Sequence, residues 1–326
     1  MKKRLLGKSN LQVSEIGLGC WQLGGDFGPI EDKRALGILE AAVEQGITFF
    51  DTADVYGAGR SESYLGEALA PLGDKVIVVT KYGRGAGTYP DGYSLTDMRD
   101  SIRRAQDRLK RDVIDLIQLH CVPTSVVRHG EIFDWLRTVQ QDGLIKHFGA
   151  SVETLEEAFL CAEQEDLASL QIIFNLFRQR PIEKLFDVVR EKNVGIIVRL
   201  PLASGLLSGK YSRETRFAES DHRNYNKDGD AFSVGETFSG IPFDKGLELV
   251  EQIKTHKPEA MSMAQYAMRW ILDHDAVTTV IAGASSVDQV TQNVSVSSLP
   301  QLSPETHKAL FDFYLENIEQ HIRGVF

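Results

Sequence analysis

The sequence predicts an α/β protein, a (β/α)8 barrel of the TIM type in one domain spanning residues 1–326, with an N-terminal β-hairpin and an extra C-terminal helix. Short apolar segments alternate with segments of helical period along the whole chain. No internal repeat or low-complexity linker divides it. An open dinucleotide-binding sheet usually carries G-x-G-x-x-G after its first strand, but Gln22 follows Gly17 and Gly19 where the last glycine should stand.

The first expected element is a small hairpin in residues 3–14, which turns at Lys8, Ser9 and Asn10 and could close the floor of the barrel. Eight candidate barrel strands follow. Most are rich in Val, Ile and Phe and are apolar on both faces, as buried parallel strands are. They cover residues 16–21, 48–52, 76–81, 113–120, 146–151, 170–175, 194–200 and 278–283.

Five segments between these strands carry apolar residues at helical spacing. Gly46 and Gly143 end the first and third, Ser94 and Asp97 are placed like a capping box before the second, and Pro258 suits the first position of the fifth. The apolar positions are Ala35, Leu39, Ala42 and Val43; Met98, Ile102, Ala105 and Leu109; Ile132, Trp135, Leu136 and Val139; Ile182, Leu185, Phe186 and Val189; and Ala264, Ala267, Met268 and Ile271.

Two further segments lie outside the alternating pattern. Residues 213–243 are polar and glycine-rich without a clear period, which is typical of a lid, a binding loop or a disordered segment. The last segment predicts a helix packed outside the barrel. Its apolar residues at helical spacing are Phe311, Tyr314, Leu315, Ile318 and Ile322.

The composition excludes several classes of partner. A net charge of −10 and a pI of about 5.4 argue against nucleic acid or an anionic membrane as the main partner, because both need clustered cations. Cys20, Cys121 and Cys161 form no C-x-x-C pair, so we expect no disulfide framework. The chain begins Met1-Lys2-Lys3-Arg4 without a secretory apolar segment, and the cytoplasm is its expected location.

Four polar residues follow or end apolar segments. Asp51, Lys81 and His120 end the second, third and fourth predicted strands, and Tyr56 lies in the loop after the second. The carboxyl ends of parallel barrel strands share one rim, so we expect all four side chains to converge. Each has an ordinary alternative: a turn cap, a surface aromatic residue, a solvated cation and a structural histidine. The combination favours a functional site.

The chemistry of these residue types suggests proton donation to an oxygen. A tyrosine hydroxyl has an ordinary pKa of about 10, which a neighbouring ammonium lowers. Asp51 would hold Lys81, and His120 would donate a hydrogen bond to the substrate oxygen. Carbonyl reduction is the reaction expected of such a site. Because no side chain carries hydride, a nicotinamide cofactor is needed.

The chain resembles the aldo-keto reductases over nearly its whole length, particularly the bacterial branch with Gly-Leu-Leu-x-Gly-Lys after strand seven. The segments that carry the resemblance are residues 50–57, 80–81, 118–120, 149–151, 201–210 and 281–284. The resemblance implies reduction of aldehydes or ketones, with Tyr56 as general acid supported by Asp51, Lys81 and His120. It favours NADP(H) as cofactor, with NAD(H) as the alternative.

The resemblance also implies the cofactor contacts. Ser151 and Gln171 match positions at the nicotinamide carboxamide, and residues 202–210 match a loop over the pyrophosphate. Ser285, Gln289 and Asn293 match the adenosine end, at a helix N-terminus that favours phosphate. The full set is Gly19, Trp21, Asp51, Ser151, Gln171, Arg199, Pro201, Leu202, Ser204, Gly205, Leu207, Ser208, Lys210, Arg216, Gly283, Ser285, Gln289 and Asn293.

The sequence departs from the family pattern at three places. Val152 replaces a frequent Asn, and Arg199 stands near the position of an aromatic residue that stacks on nicotinamide. Residues 283–293 contain no Lys or Arg, although a 2′-phosphate is usually met by a cation. Lys210, Arg213 or Arg216 could supply that cation from the neighbouring loop.

The expected substrate pocket combines an aromatic wall with polar residues from several strand ends. Arg84 could bind an anionic substrate, although solvation is the simpler expectation. Cys121 is expected to line the pocket rather than act as a nucleophile, because no base is better placed for it than for Tyr56. The predicted lining is Trp21, Asp26, Phe27, Tyr56, Tyr82, Arg84, Cys121, Phe177 and the long loop.

Two alternatives belong to other functional classes. A regulatory or sensor protein could use the same fold and cofactor with weak turnover, as some relatives do for ion channels. A metalloenzyme is less favoured, since neither His-x-His nor HExxH occurs and no metal is expected. The substrate, the direction of the reaction and the oligomeric state stay open.

Overall fold

The computed structural model describes residues 1–326 as a closed barrel of eight parallel strands, preceded by an antiparallel hairpin. Each barrel strand pairs with its neighbours in sequence, and the last pairs with the first. The predicted fold is confirmed. The hairpin strands are β1 (Lys3–Leu5) and β2 (Gln12–Ser14); the barrel strands are β3 (Ile16–Gly19), β4 (Phe49–Asp51), β5 (Ile77–Tyr82), β6 (Ile114–His120), β7 (Ile145–Ser151), β8 (Ser169–Ile173), β9 (Gly195–Arg199) and β10 (Val277–Gly283).

The hairpin closes the floor of the barrel, as predicted. Leu6 and Val13 belong to the small apolar cluster inside the barrel, together with inward-facing strand residues such as Phe49 and Leu116. Gly7, at the turn, has a φ of +50°, and a Cβ atom there would lie 2.4 Å from the backbone nitrogen of Gly195. Only glycine therefore allows this close contact between hairpin and barrel.

Helices surround the barrel, and a larger apolar cluster fills the space between them and the strands. Helices occur at the first three of the five segments predicted to be helical. Ser94 caps the second of these helices by accepting a hydrogen bond from the backbone N–H of Asp97 (3.1 Å). The helices are α1 (Trp21–Gly24), α2 (Asp32–Glu44), α3 (Arg60–Leu69), α4 (Leu95–Leu109), α5 (Thr124–His129), α6 (Glu131–Gln141), α7 (Leu155–Ala162), α8 (Pro181–Lys184), α9 (Phe186–Glu191), α10 (His222–Tyr225), α11 (Phe243–Ile253), α12 (Met263–Leu272), α13 (Val287–Ser295) and α14 (Pro304–Phe313).

Two helical predictions need correction. The fourth predicted helical segment is divided at Leu185 into α8 and α9 rather than forming one helix. Pro258 does not begin a helix. Its carbonyl accepts a hydrogen bond from the Met261 N–H (3.1 Å) in a turn, and α12 begins later because Ser262 and Gln265 form a capping box.

The two segments outside the alternating pattern are both ordered. Residues 213–243 contain α10 and two 3-10 turns, Val234–Glu236 and Phe238–Gly240. The extra C-terminal helix α14 continues into a π-helical turn, Tyr314–Ile318. The predicted apolar residues therefore extend past the end of the regular helix into this turn. None of the helices combines the length and apolar character needed to cross a membrane.

Candidate active site

The rim of the barrel brings three of the four predicted polar residues into direct contact. Lys81 Nζ donates hydrogen bonds to Asp51 Oδ1 (2.6 Å), to the carbonyl of Thr52 (2.8 Å) and to the Tyr56 hydroxyl (3.2 Å). His120 lies beside them, with its ring centroid 6.0 Å from that of Tyr56 in an edge-on arrangement. The side chains of a phenol, an ammonium, a carboxylate and an imidazole therefore meet at one place.

Two buried glutamines complete the environment of Asp51. Asp51 Oδ2 accepts hydrogen bonds from the side-chain amides of Gln118 (3.0 Å) and Gln171 (2.8 Å). The carboxylate is thus fully hydrogen-bonded in the barrel interior, as a buried charge requires. Gln118 was not predicted as a site residue, although a polar residue inside an apolar strand is a signal that could have identified it.

Gln171 is tied to its neighbours in the empty cavity. Its amide N–H group donates to Asp51, and its Oε1 accepts from the Ser151 hydroxyl (3.3 Å). Both residues line the cavity, as the resemblance implies. A bound amide would have to compete with Asp51 for the side-chain N–H donors of Gln171. Ser151 is therefore the more available hydrogen-bond partner.

Burial changes the expected ionisation of Tyr56. Burial raises its pKa, Lys81 partly lowers it again, and the net result is a pKa of about 12. Lys81 therefore lowers the pKa of Tyr56, as expected, but the loss of solvent has the larger effect. Burial alone would lower the pKa of Lys81, but Asp51 and Tyr56 outweigh it and raise that pKa, so the ammonium form is kept.

His120 is neutral at physiological pH. Burial lowers its pKa well below the ordinary range, and the positive charges of Lys81, Arg84 and Arg199 act in the same direction. Its buried Nδ1 has no hydrogen-bond partner. An unpaired buried N–H costs more than an unpaired lone pair, so the ring proton is better placed on Nε2.

A cavity of about 490 Å³ opens above these residues and extends to the N-terminus of α13. Most predicted contacts line it. Those of the cofactor set are Gly19, Trp21, Asp51, Ser151, Gln171, Arg199, Pro201, Leu202, Ser204, Gly205, Ser208, Lys210, Gly283, Ser285, Gln289 and Asn293, and those of the substrate set are Trp21, Asp26, Phe27, Tyr56, Arg84 and Cys121.

Four predicted contacts lie outside this cavity. Tyr82 follows Lys81 on β5 and so points to the opposite face, where its hydroxyl donates to Asp97 (3.0 Å). Phe177 and Leu207 are fully buried in the apolar core. Arg216 is exposed and binds backbone carbonyls of its own loop. The locations of these four side chains in the structure do not support the contacts that were predicted for them.

The far end of the cavity is formed by the start of α13. Ser286 caps this helix by accepting a hydrogen bond from the Gln289 N–H (3.3 Å), and Gln289 Oε1 accepts one from the Ser285 N–H (2.7 Å). Asn293 donates to the Gly283 carbonyl (3.3 Å). The side chains that α13 contributes to the cavity are therefore neutral amides.

The end near Tyr56 has an aromatic wall, as predicted. Trp21 stacks on Tyr56 at 5.8 Å between ring centroids, and Phe27 packs edge-on against Trp21 at 5.2 Å. The long loop adds Phe232, whose ring lies 6.1 Å from that of Trp21. The loop also contributes Tyr225 and other lining residues that sequence reasoning did not identify individually.

Glu236 is the most consequential of these unpredicted residues. It lies in the long loop and forms an ion pair with Arg199, whose Nη2 also donates to the Val152 carbonyl (2.8 Å). Nearby, Arg84 pairs with Glu153 (2.8 Å). Both cations at this end are therefore already balanced by carboxylates.

Cys121 lines the cavity beside His120, and burial raises its pKa to about 11. The thiol is protonated at neutral pH, which agrees with a lining role rather than a nucleophilic one. The Cys121 sulfur and the carboxylates of Glu153 and Glu236 lie within 4.8 Å of one another, as in a metal-ligand group. However, both carboxylates already pair with arginines.

The family model "Aldo/keto reductase family" matches residues 15–314. The chain belongs to the aldo/keto reductase family. It is therefore an oxidoreductase by family, and the resemblance inferred from the sequence is confirmed.

Relatives of this aldo/keto reductase match it from end to end. An oxidoreductase of Bacillus subtilis (strain 168), YqkF, whose activity is uncharacterized, is 30% identical over 95% of both chains. A probable voltage-gated potassium channel subunit beta of Oryza sativa is 29% identical over 94% of both chains. A solved aldo-keto reductase from Bacillus halodurans, in its holo form, has a TM-score of 0.78 and 29% identity, covering 99% of this chain and all of that one.

Proposed function

We propose that this aldo/keto reductase reduces the carbonyl group of small aldehydes or ketones with NAD(P)H, and that Tyr56 donates the proton. The observation that carries the proposal is the hydrogen-bonded series from Asp51 through Lys81 to Tyr56, which ends at the cavity beside a neutral His120. The whole chain acts as one domain on small molecules in the cytoplasm, with residues 213–243 as a lid.

The cavity has features that fit a dinucleotide. Ala203, Ser204 and Gly205 are three consecutive residues with positive φ, and the N–H groups of Ala203 and Gly205 close this turn by donating to the carbonyls of Leu200 (3.0 Å) and Leu202 (2.9 Å). A Cβ atom on Gly205 would lie 2.2 Å from the Tyr211 hydroxyl, so this turn at the cavity requires glycine. The α13 N-terminus lies at the same cavity and favours an anionic group.

The cofactor, when bound, would supply the hydride, and the chain's own residues would do the rest. Residues of the 203–208 turn and Ser285, Gln289 and Asn293 would hold its phosphates and adenosine. Ser151 and Gln171 would orient the nicotinamide.

The geometry supports proton donation by Tyr56. As a substrate oxygen gains negative charge, the Tyr56 hydroxyl gives up its proton, and the resulting phenolate is stabilised by Lys81 at 3.2 Å. Asp51 holds that ammonium in place. His120, neutral and with its proton on Nε2, donates a hydrogen bond to the same oxygen. Each of these contributions is larger in the transition state than in the ground state.

NADP(H) is the favoured cofactor and NAD(H) the alternative. Support for NADP(H) comes from the family pattern and from Lys210, a cation that lines the cavity. Support for NAD(H) comes from α13, which contributes no cation to the cavity.

The proposal is tested with Tyr56→Phe. Binding of NADPH and NADH is titrated by tryptophan fluorescence, since Trp21 lines the cavity, and turnover is then measured with nitrobenzaldehyde and several sugars. We expect a fall in kcat of about 10²-fold or more, because proton transfer by a positioned side chain contributes that much. The cofactor Kd should stay nearly unchanged. Near-normal turnover in this variant would show that Tyr56 is not the proton donor.

A regulatory protein with weak turnover is the second candidate, and the similarity to the channel subunit of Oryza sativa favours it. The two candidates differ in measurable ways. Slow cofactor release together with very low turnover on a wide aldehyde panel would support the regulatory function, and rapid turnover would support the enzyme.

A further inference from the structure

Arg323 connects two distant points of the long loop. Its Nη1 donates to Asp228 Oδ1 (2.9 Å) and its Nη2 to the Lys227 carbonyl (2.7 Å). Its Nε and its backbone N–H both donate to the Gly240 carbonyl (3.0 and 3.1 Å). One residue therefore joins both ends of residues 227–240, here called the clamped segment.

The contact at Gly240 is a close one between two backbones. Gly240 has a φ of +82°, and a Cβ atom there would lie 2.7 Å from the Arg323 carbonyl oxygen. Both the conformation and the approach require glycine. The loop is therefore shaped to receive this part of the chain.

The two ends of the clamped segment are not equally secured. The end at Gly240 is tied to the barrel, because Arg178 Nε donates to the Ser239 carbonyl (3.1 Å) and Asn175 donates to the Ser239 hydroxyl (2.9 Å). Lys227 and Asp228 are exposed, but Asn226 beside them is fully buried, and its side chain donates to the Thr237 hydroxyl (3.1 Å) and accepts from the Phe232 N–H (2.9 Å). Arg323 thus adds a second set of bonds, from outside, to a segment that Asn226 holds from within.

The middle of the clamped segment reaches the cavity. The carboxylate of Glu236 pairs with Arg199, and its carbonyl accepts a hydrogen bond from the Ser204 hydroxyl (3.2 Å). Phe232 lies beside Trp21 in the aromatic wall. A shift of the clamped segment would therefore move a charge and a ring at the end of the cavity nearest Tyr56.

We propose that Arg323 is a positioning residue for substrate binding, which holds Glu236 against Arg199 and Phe232 against Trp21 from outside the cavity. The proposal rests on the reductase function proposed above. Arg323 does not line the cavity, so it should act on the fit of the substrate rather than on proton transfer.

The kinetic test uses Arg323→Ala, Glu236→Gln and the double variant at saturating NADPH. Each single change should raise the KM for nitrobenzaldehyde about three- to tenfold and change kcat less than about twofold, as does the loss of binding that is equal in the ground state and the transition state. The KM of the double variant should be close to that of the single variant with the larger increase, because both changes disturb the same set of contacts. Arg323→Lys should recover little, since an ammonium cannot bond both ends of the segment.

Arg137→Ala is the matched control. Arg137 has 30% of its side chain exposed against 35% for Arg323, and it also bonds several partners, but these belong to α6 and to residues 164–166. A merely structural loss in Arg323→Ala would lower the melting temperature in the same way as Arg137→Ala and leave KM unchanged. An unchanged KM, or increases that add in the double variant, would overturn the proposal.

A second measurement separates this proposal from the reductase proposal. Amide hydrogen exchange in residues 227–240 should be faster in Arg323→Ala than in the wild type, whether or not the protein turns over substrate. If the wild type reduces no carbonyl compound, the reductase proposal is wrong, but the exchange rates still test whether Arg323 holds the clamped segment in place. Unchanged exchange in Arg323→Ala would refute that role of Arg323.

Discussion

Lys210 differs from every other cation at the cavity because it makes no ion pair. The three arginines that line the cavity are each balanced by a carboxylate. These pairs are Arg84 with Glu153, Arg199 with Glu236 and Arg223 with Asp221. Lys210 is therefore the one lining side chain with an unbalanced positive charge for a phosphate.

We predict that Lys210→Met weakens NADPH more than NADH. An exposed charge pair is worth up to about 1 kcal/mol, so the NADPH Kd should rise about fivefold while the NADH Kd changes little. Fluorescence titration of both cofactors measures this. Arg216→Met is the control, because Arg216 lies outside the cavity. Equal weakening of both cofactors would assign Lys210 to the pyrophosphate instead, and a loss confined to Arg216→Met would show that the loop rearranges.

The residues that sequence alone identified share one property. Asp51 and His120 end apolar strands and Lys81 is the next-to-last residue of another, so the barrel topology is sufficient to bring these polar side chains together. Glu236 could not be found in this way. It reaches Arg199 only because a long loop without periodic pattern folds back over the rim, and nothing in its local sequence marks that contact.

Among the secondary-structure elements, the hairpin shows most directly how sequence and packing act together. Its turn at Gly7 approaches the backbones of Gly195 and Ala168 at the lower ends of two barrel strands. Those backbones belong to a closed sheet and cannot move without breaking strand pairing. The hairpin therefore has one allowed residue at its tightest point.

We predict that Gly7→Ala lowers the free energy of unfolding by about 2–4 kcal/mol, through the positive φ and a Cβ that would meet backbone atoms. Urea denaturation measures the loss. Gly37→Ala is the matched control, because Gly37 lies within α2 and no atom would stand within 4 Å of its new Cβ. That change should stabilise the protein by about 0.5–1 kcal/mol. Equal stability of both variants would mean that the hairpin does not seal the barrel.

The elements also show where periodicity fails as a guide. The barrel strands were predictable because both faces are buried, which gives continuous apolar segments. Short helices such as α5 and α10 have too few turns to display a period. At Pro258 the proline signal competed with the capping box of Ser262 and Gln265, and the capping box decided where the helix begins.

For the molecule as a whole, three histidines in separate regions, His222 buried and His120 and His274 partly buried, share one property. His120 lies at the rim, His222 in α10 of the long loop, and His274 among aromatic residues just after the end of α12. Burial lowers the pKa of each, to about 4 for His222 and His274. Folding therefore keeps these rings neutral under conditions in which the unfolded chain would protonate them.

This predicts a loss of stability in acid. Below about pH 6.5 the unfolded chain binds protons that the folded chain does not, so the free energy of unfolding should fall from there down to about pH 4. Asp54 acts in the opposite direction. Burial raises its pKa to about 6, so the folded form binds that proton first and gains stability as the pH falls. Burial raises the pKa of Asp26 and Glu153 in the same way and lowers that of a fourth histidine, His147. Since four histidines oppose three carboxyl groups, the net change should be destabilising.

Urea denaturation between pH 7 and pH 5 tests this balance between histidines and carboxyl groups. The His274→Gln variant tests the contribution assigned to His274. His274 Nε2 is buried without a hydrogen-bond partner, so no hydrogen bond at that atom favours the protonated ring, and burial outweighs the attraction of Asp273 and Asp275. Removing it should reduce the pH slope of the unfolding free energy by up to about 1.4 kcal/mol per pH unit. His129→Gln, at a side chain that is 77% exposed, is the control and should leave the slope unchanged. A slope equal in both variants would mean that His274 is already protonated in the folded protein, and that the aromatic cluster accommodates the charge.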